Sequence, residues 1–221
     1  MFRPPRRRVP ASLLICLLLW APVAVEAEEP AAATTPEAPD PTATVERLHE
    51  ALLGVMKEAD RLGYSGRYDQ LWPVLQECFD VSFMAEKTVG RHWKKANGEQ
   101  RERLVETFGR FTVANYAGRF DGYSGQSFKT LGEEPSTRAT LLVKTRLNEP
   151  EGEGIELDYR VRQVDGHWKI IDVYLNGTVS ELALRRSEYS SMIAREGFDA
   201  LLAALDQKIA DLATAAADEP S

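Results

Sequence analysis

Cysteine is almost absent from this sequence. Only two of its 221 residues are Cys, and Cys16 lies in an N-terminal apolar run that we expect to be removed. Cys78 then has no second thiol in the chain, which excludes an internal disulfide. Because Cys78 adjoins Phe79 on an apolar helical stripe, we expect it to be a small buried hydrophobic residue. The fold must therefore be held together by its core.

Histidine is also scarce, and the common catalytic motifs are missing. His49, His92 and His167 are far apart in the chain and do not have the spacing of metal ligands. The sequence has no HExxH, no GxSxG, no phosphate-binding loop and no dinucleotide-binding glycine pattern. We therefore predict no metal site, no cofactor and no catalytic residue of these classes.

Positive charge is in the minority. The formal net charge is −7 at pH 7, and no long block of basic residues follows the N terminus. An acidic protein of this kind binds nucleic acid poorly, so we exclude nucleic acid as a partner. An anionic bilayer would also repel it weakly. Contact with a membrane would then need a protein partner or a locally basic patch.

The N-terminal residues have the pattern of an export signal. Four Arg among the first eight residues precede an apolar run over 11–25, and Val25 and Ala27 are small residues at positions −3 and −1. We predict a signal peptide over 1–27 that is cleaved after Ala27. The apolar run is shorter than the roughly 20 residues of a membrane span. An uncleaved anchor remains the alternative.

The chain beyond the signal is long enough for one domain with a real core and too short for two. Residues 28–44 contain four Pro among Ala, Thr and Glu, which is typical of a disordered linker. We predict a single domain over 45–215 and a disordered tail over 216–221.

A β-hairpin is the clearest local structure in the sequence. Apolar and polar residues alternate strictly from Ile155 to Arg162, as in a strand with one apolar face. Asp165-Gly166 fits a two-residue hairpin turn, which places Val161 opposite Ile170 and carries the apolar face across to the partner strand. Two further strands are predicted over 126–132 and 137–147.

Helical periodicity lies on both sides of these strands. We expect helices over 45–62, from a capping pair at Asn97 and Gln100 to about Phe120, from Ser187 to Gly197, and over 198–212. The order of helices, a four-stranded antiparallel meander and further helices predicts an α+β fold. In it, a curved sheet is wrapped by N-terminal and C-terminal helices.

Asp172 is the one polar residue with a possible catalytic role. The hairpin register puts it on the apolar face with Tyr159, and a buried carboxylate beside a tyrosine is typical of proton-transfer sites in cone-shaped α+β enzymes. Alternatively, a bulge turns Asp172 to the other face, or its carboxylate satisfies backbone donors where the strand ends. An enzyme that uses Asp172 as acid or base is therefore the competing function.

The apolar sheet face and the helices supply many large apolar side chains, which fit a filled core and a lined cavity equally well. The candidate lining residues are Phe108, Phe111, Tyr159, Val161, Trp168, Ile170, Met192 and Phe198.

Short motifs in the C-terminal half carry a resemblance to a known family. Trp168 followed by Asp172-Val173, then Val179-Ser180 and the run from Gly197 to Leu201, resemble the MlaC family of periplasmic phospholipid-binding proteins, also called toluene-tolerance auxiliary proteins. Val89-Gly90 and the helix over 100–116 look like the family's middle segment. The run SELALRRSEYSSMIAREGFDALL is most similar to the hopanoid-associated HpnM branch.

The resemblance implies a lipid carrier without catalytic residues. Its apolar cavity, between sheet and helices, would hold a phospholipid or a hopanoid, which a monomer would carry between inner-membrane and outer-membrane transport complexes. Arg185 and Arg186 would then contact a lipid headgroup or an acidic partner, unless they are ordinary surface charges. A scaffold that bridges envelope complexes without binding a small molecule is the third interpretation.

Overall fold

The structure is a computed structural model, and it describes residues 40–216. The predicted signal peptide, most of the predicted linker and the last five residues lie outside the described residues. Residues 41–44, which we expected in the linker, form the start of the first helix. That helix begins there because Asp40 accepts a hydrogen bond from the backbone N–H of Thr42 and because Pro41 fits a first helical turn.

Within residues 40–216, four α-helices precede the sheet. The first helix is shorter at its C-terminal end than its periodicity predicts, because the chain is no longer helical at Glu58 and is interrupted again at Gly63, where φ is 57°. A single 3-10 turn at Gly90–His92 separates the last two helices. The helices are α1 (Pro41–Lys57), α2 (Ala59–Cys78), α3 (Val81–Val89) and α4 (Gly98–Arg119).

The start of α4 confirms the predicted capping pair. The side chain of Asn97 accepts from the backbone N–H of Gln100 at 2.8 Å, and the side chain of Gln100 accepts from the N–H of Asn97 at 3.2 Å. Each side chain satisfies a backbone donor that the first helical turn leaves without a partner. Asn97 and Gln100 therefore fix the N-terminal end of the longest helix.

Among the described residues, the sheet has five antiparallel strands in the order β1-β2-β3-β4-β5. The fifth strand was not predicted, because two residues are too few to show a period. It pairs with the end of β4, with Val179 opposite Leu175. The strands are β1 (Ser127–Ser136), β2 (Thr140–Asn148), β3 (Ile155–Val164), β4 (His167–Leu175) and β5 (Val179–Ser180).

The β3–β4 hairpin confirms the predicted register near its turn and departs from it further along. Val161 lies opposite Ile170, as expected, but Arg160 lies opposite Asp172, so Ile171 is an extra residue in β4. This β-bulge shifts the alternation of β4 by one position. Asp172 therefore does not share the apolar face of Tyr159, and the predicted position of Asp172 was wrong.

In the described part of the chain, two helices follow the sheet, α5 (Glu181–Glu196) and α6 (Phe198–Ala215). The predicted start of α5 at Ser187 was wrong. Ser180 caps the helix instead, by accepting from the backbone N–H of Ala183 at 2.9 Å. The predicted end at Gly197 is confirmed, because φ there is 94°, a conformation that favours glycine.

The core lies between one face of the sheet and the helices. α1 packs on β1, β2 and β4, while α4 packs on α2, α3 and α6. Cys78 is 1% exposed within this core, as its position on an apolar stripe predicts. The structure thus confirms an α+β fold with an antiparallel sheet and helices from both ends of the chain. Over residues 40–216, no helix is long and apolar enough to cross a membrane.

Candidate functional site

An apolar cavity of about 290 Å³ lies between α4 and the sheet. Helices α3 and α5 complete its wall. Its lining residues are Phe79, Met84, Phe108, Thr112, Asn115, Tyr116, Arg119, Phe120, Leu147, Glu149, Ile155, Leu157, Tyr159, Val173, Leu175, Glu181 and Arg185.

The sheet supplies the apolar wall of the cavity. Leu147 on β2 pairs with Ile155 on β3, and Leu157 on β3 pairs with Leu175 on β4. Because paired residues of an antiparallel sheet point to the same face, these side chains form one continuous surface. The wall is a consequence of the alternation that begins at Ile155.

Helix α4 supplies the opposite wall, and this wall is partly polar. Phe108, Thr112, Asn115 and Arg119 recur at helical spacing and therefore share one face of α4. The hydroxyl of Thr112 donates to the carbonyl of Phe108 at 2.8 Å, and the side-chain amide of Asn115 donates to the carbonyl of Phe111 at 2.7 Å. These two donors are satisfied within the helix, so the wall presents little unmet polarity to a guest molecule.

Four charged side chains line the cavity, those of Arg119, Glu149, Glu181 and Arg185. Arg119 and Glu149 are its exposed lining residues, which identifies the opening to solvent. The guanidinium of Arg185 lies 4.9 Å from the ring centroid of Phe111 and 3.5 Å from the carboxylate of Glu181. Among the described residues, Arg119 has no ion-pair partner. The opening therefore presents a guanidinium that is free to bind an anion.

Tyr159, one of the lining residues, contacts a buried histidine on α1. Its hydroxyl lies 3.1 Å from Nε2 of His49, and the imidazole stacks on the ring of Phe128 with centroids 3.9 Å apart. Burial lowers the pKa of His49 to about 3, because the charged ring would lose its hydration. Burial also raises the pKa of Tyr159. The pair is therefore neutral at pH 7 and serves as a packed polar contact.

Asp172 lies outside the cavity, on the other face of the sheet. Its carboxylate accepts from the backbone N–H groups of Val173 at 2.9 Å and Leu182 at 3.0 Å, and from the hydroxyl of Ser180 at 2.6 Å. Burial raises its pKa, while these hydrogen bonds oppose the shift. Asp172 thus joins β4 to the start of α5, which agrees with the structural role that the sequence allowed for it.

The structure brings together only part of the predicted lining set. Phe108 and Tyr159 line the cavity, and Phe111 lies beside it under Arg185. Val161 and Ile170 have no exposed surface and lie in the core.

The other three predicted residues lie away from the cavity. Trp168 borders a surface depression near the start of α1. Met192 borders another depression between α5 and α6, and Phe198 packs at the edge of the core.

The lining residues that the sequence reasoning missed lie nearer the strand ends. Ile155 and Leu157 belong to the same alternation as Tyr159, so the pattern itself contained them, but the prediction favoured the hairpin-turn end of the strands. The polar residues Thr112 and Asn115 had only their helical spacing from Phe108 as a signal. Arg119 had no signal that distinguishes it from a surface charge.

The structure also separates the predicted arginine pair. Arg185 lines the cavity. Arg186, by contrast, lies against the turn after α3, close to Gly90. A side-chain Cβ at position 90 would be only 3.0 Å from Nε of Arg186. Over residues 40–216, no group of His, Cys, Asp and Glu is arranged to hold a metal ion.

Comparisons with known proteins agree with this architecture. A solved structure of the phospholipid-binding protein from Ralstonia solanacearum, in complex with a phospholipid, matches with a TM-score of 0.69 and 22% identity, over 79% of this chain and 99% of that chain. The intermembrane phospholipid transport system binding protein MlaC of Haemophilus influenzae is 24% identical over 133 residues. That match covers 58% of this chain and 61% of the relative. A family model described as MlaC protein matches residues 46–207. The chain therefore belongs to the MlaC family.

Proposed function

We propose that this protein is a periplasmic carrier that holds a lipid in the cavity between α4 and the sheet and passes it between membrane-bound transport complexes. The observation that carries the proposal is an apolar cavity whose opening carries Arg119, a guanidinium without an ion-pair partner among the described residues. The Haemophilus relative is named for intermembrane phospholipid transport, and the Ralstonia structure contains a phospholipid. A phospholipid is therefore the favoured ligand.

The size of the cavity requires it to widen around such a ligand. Its volume is about 290 Å³. A methylene group is close in size to the share of about 30 Å³ that one water molecule has in the liquid. The cavity therefore has room for roughly ten methylene groups. One long acyl chain exceeds this. Helix α5 is the wall best placed to move, because Gly177 precedes it and Gly197 ends it, both with positive φ. We propose these two glycines as its hinges.

The free energy of burial also favours a ligand with two chains or a rigid ring system. At about 0.8 kcal/mol per CH₂, one chain of about 16 carbons contributes roughly 12 kcal/mol. Association and ordering cost on the order of 4–15 kcal/mol, so one chain alone binds marginally. Two acyl chains double the favourable contribution. A hopanoid loses less conformational entropy on binding, which keeps it as the second ligand class.

The opening suits the headgroup of a phospholipid. The guanidinium of Arg119 has five N–H donors and no carboxylate partner among the described residues, and Arg185 lies on the same lining. Arginine binds phosphate through paired hydrogen bonds. We propose that Arg119 and Arg185 contact the headgroup phosphate while the chains occupy the apolar wall.

The competing enzyme function has no support from the position of Asp172. This carboxylate is on the face of the sheet away from the cavity, and its oxygens are occupied by backbone and hydroxyl donors. We therefore propose a carrier and no reaction.

Extraction of the purified protein with organic solvent, followed by mass spectrometry, tests the proposal. We expect phospholipid in the wild-type extract, and hopanoid instead if the HpnM assignment holds. Leu157→Glu places a charge on the cavity wall and should remove the lipid. Leu142→Glu is the matched control, because Leu142 pairs with Arg160 and so lies on the other face. A wild-type extract without lipid, or equal lipid in the two variants, contradicts the carrier.

A further inference from the structure

A cluster of basic side chains lies on the turn between α3 and α4. Arg91, Lys94 and Lys95 are exposed there, within five residues of one another. From α5, the guanidinium of Arg186 reaches the same turn at Gly90. We call Arg91, Lys94, Lys95 and Arg186 the basic patch.

The side chains of the basic patch are not held in ion pairs. Among residues 40–216, none of its four side chains forms an ion pair. The neighbouring Lys87, by contrast, is paired with Glu86 at 2.6 Å. Long cationic side chains without a fixed partner keep their rotamer freedom and can follow a diffuse negative surface.

An indole lies within the same turn. Trp93 is half-buried, and the guanidinium of Arg101 lies 5.6 Å from the centroid of its ring. The carbonyl of Trp93 accepts from Nε of Arg101 at 3.0 Å, which fixes the backbone of the turn. Partly exposed tryptophan side chains are typical of the interface between water and lipid, because the indole ring is apolar and its N–H is polar.

We propose that the basic patch docks the protein on an anionic phospholipid bilayer. Exposed lysine and arginine side chains without ion-pair partners, adjacent to an indole, fit a fluid layer of lipid phosphates better than a fixed set of protein carboxylates. The acidic net charge, which is −7 for the full sequence, does not prevent this contact, because charges are screened beyond about 8 Å at physiological ionic strength. Only the nearest charges decide whether this surface adheres.

Docking and lipid carriage use different residues joined by one helix. Arg185 lines the cavity, and the next residue, Arg186, belongs to the basic patch. The patch therefore adds a membrane-contact surface to the proposed carrier. Helix α5 links that surface to the opening of the cavity.

Sedimentation with phospholipid vesicles tests the docking. The purified chain, with its N terminus as the cell processes it, is mixed with vesicles of phosphatidylglycerol and phosphatidylcholine, or of phosphatidylcholine alone. The variant Arg91→Gln/Lys94→Gln/Lys95→Gln removes three charges of the patch. Because each such charge contributes roughly a fivefold preference for an anionic surface, we expect about a 100-fold loss of binding to the anionic vesicles. On neutral vesicles the variant should equal the wild type.

A second triple variant separates the patch from net charge. Lys129→Gln/Arg138→Gln/Arg195→Gln changes the net charge equally at exposed positions outside the patch, and it should bind nearly as the wild type does. Thermal unfolding checks that both variants are folded, and extraction with mass spectrometry checks that the patch variant keeps its lipid.

Three results would overturn the proposal. The first is equal binding of the patch variant and the wild type to anionic vesicles. The second is an equal loss in both triple variants, which would make the effect one of net charge. The third is a wild-type protein that does not bind anionic vesicles, which would assign the patch to an acidic protein. Loss of lipid from the wild-type extract would count against the carrier and leave the docking result standing.

Discussion

The buried imidazole of His49 predicts a specific dependence of stability on pH. This side chain is 4% exposed, stacks on Phe128 and contacts the hydroxyl of Tyr159. Its pKa falls from 6.5 to about 3 on folding because burial disfavours the charged ring. The unfolded chain therefore binds a proton at His49 that the folded chain does not. The contribution of the neutral His49 side chain to the free energy of unfolding is fully present above pH 6.5 and is lost as the pH falls toward 3.

The size of the effect is set by the two pKa values. Each pH unit inside this window changes the free energy of unfolding by about 1.4 kcal/mol. Between pH 8 and pH 5, His49 alone should lower the free energy of unfolding by about 2 kcal/mol. Other groups also make the stability depend on pH, among them Asp158 and Asp172, whose pKa values are raised by burial. A variant that lacks only the imidazole is therefore the proper reference.

Urea unfolding at pH 8 and pH 5 measures the difference. His49→Gln keeps a polar group near Tyr159 but cannot titrate, so its loss of stability between the two pH values should be smaller than the wild-type loss by about 2 kcal/mol. His167→Gln is the control, because that ring is exposed beside the hairpin turn. It should keep the wild-type profile.

Equal losses of stability in His49→Gln and the wild type between pH 8 and pH 5 would refute this reasoning. The imidazole would then be charged within the folded protein. Burial would not determine its pKa, and the contact with Tyr159 would not be a neutral hydrogen bond.

Three further predictions concern the sheet and its caps. Asp172→Asn removes one acceptor from the start of α5 and should cost about 1–3 kcal/mol in urea unfolding; the extracted lipid should be unchanged, and a variant without lipid would reopen the role of this carboxylate. Val161→Glu buries a charge at a fully buried position and should leave no cooperative thermal transition; a folded variant would show that the core opens there. Asn97→Ala breaks the capping pair of α4 and should cost about 1 kcal/mol; an unchanged urea midpoint would show that packing alone holds this end.

Local patterns in the sequence were enough to predict the hairpin turn and several helix ends. Asp165-Gly166 and the alternation beside it fix the pairing of Val161 with Ile170, because turn type and period are properties of neighbouring residues. The capping pair of Asn97 and Gln100 acts over three residues, so it too is predictable from the local sequence.

Features decided by distant contacts were not predictable in the same way. The bulge at Ile171 leaves the composition of β4 unchanged, and it turns Asp172 to the face on which its carboxylate accepts from the backbone of Leu182 at the start of α5. Ser180 and Ser187 are equally good caps by residue type, and the carboxylate of Asp172 beside Ser180 favours the earlier start.

The cavity depends on the placement of whole helices. α4 packs on α2, α3 and α6, and this packing leaves a gap between its polar stripe and the sheet. The sequence contains the apolar alternation of one wall and the helical spacing of the other. The distance between the two walls depends on tertiary packing. The sequence therefore predicted Phe108 and Tyr159 as lining residues and missed Leu147 and Arg119.

The burial of Cys78 protects its thiol from reaction with oxidants and other thiols in the solvent. Burial raises the pKa of this thiol to about 11, so at pH 7 roughly one molecule in 10⁴ carries the reactive thiolate. In the oxidising compartment proposed for the protein, this burial disfavours a disulfide between the Cys78 thiols of two folded copies. The same thiol becomes available to an alkylating reagent only when the core opens, which makes Cys78 a built-in chemical reporter of unfolding.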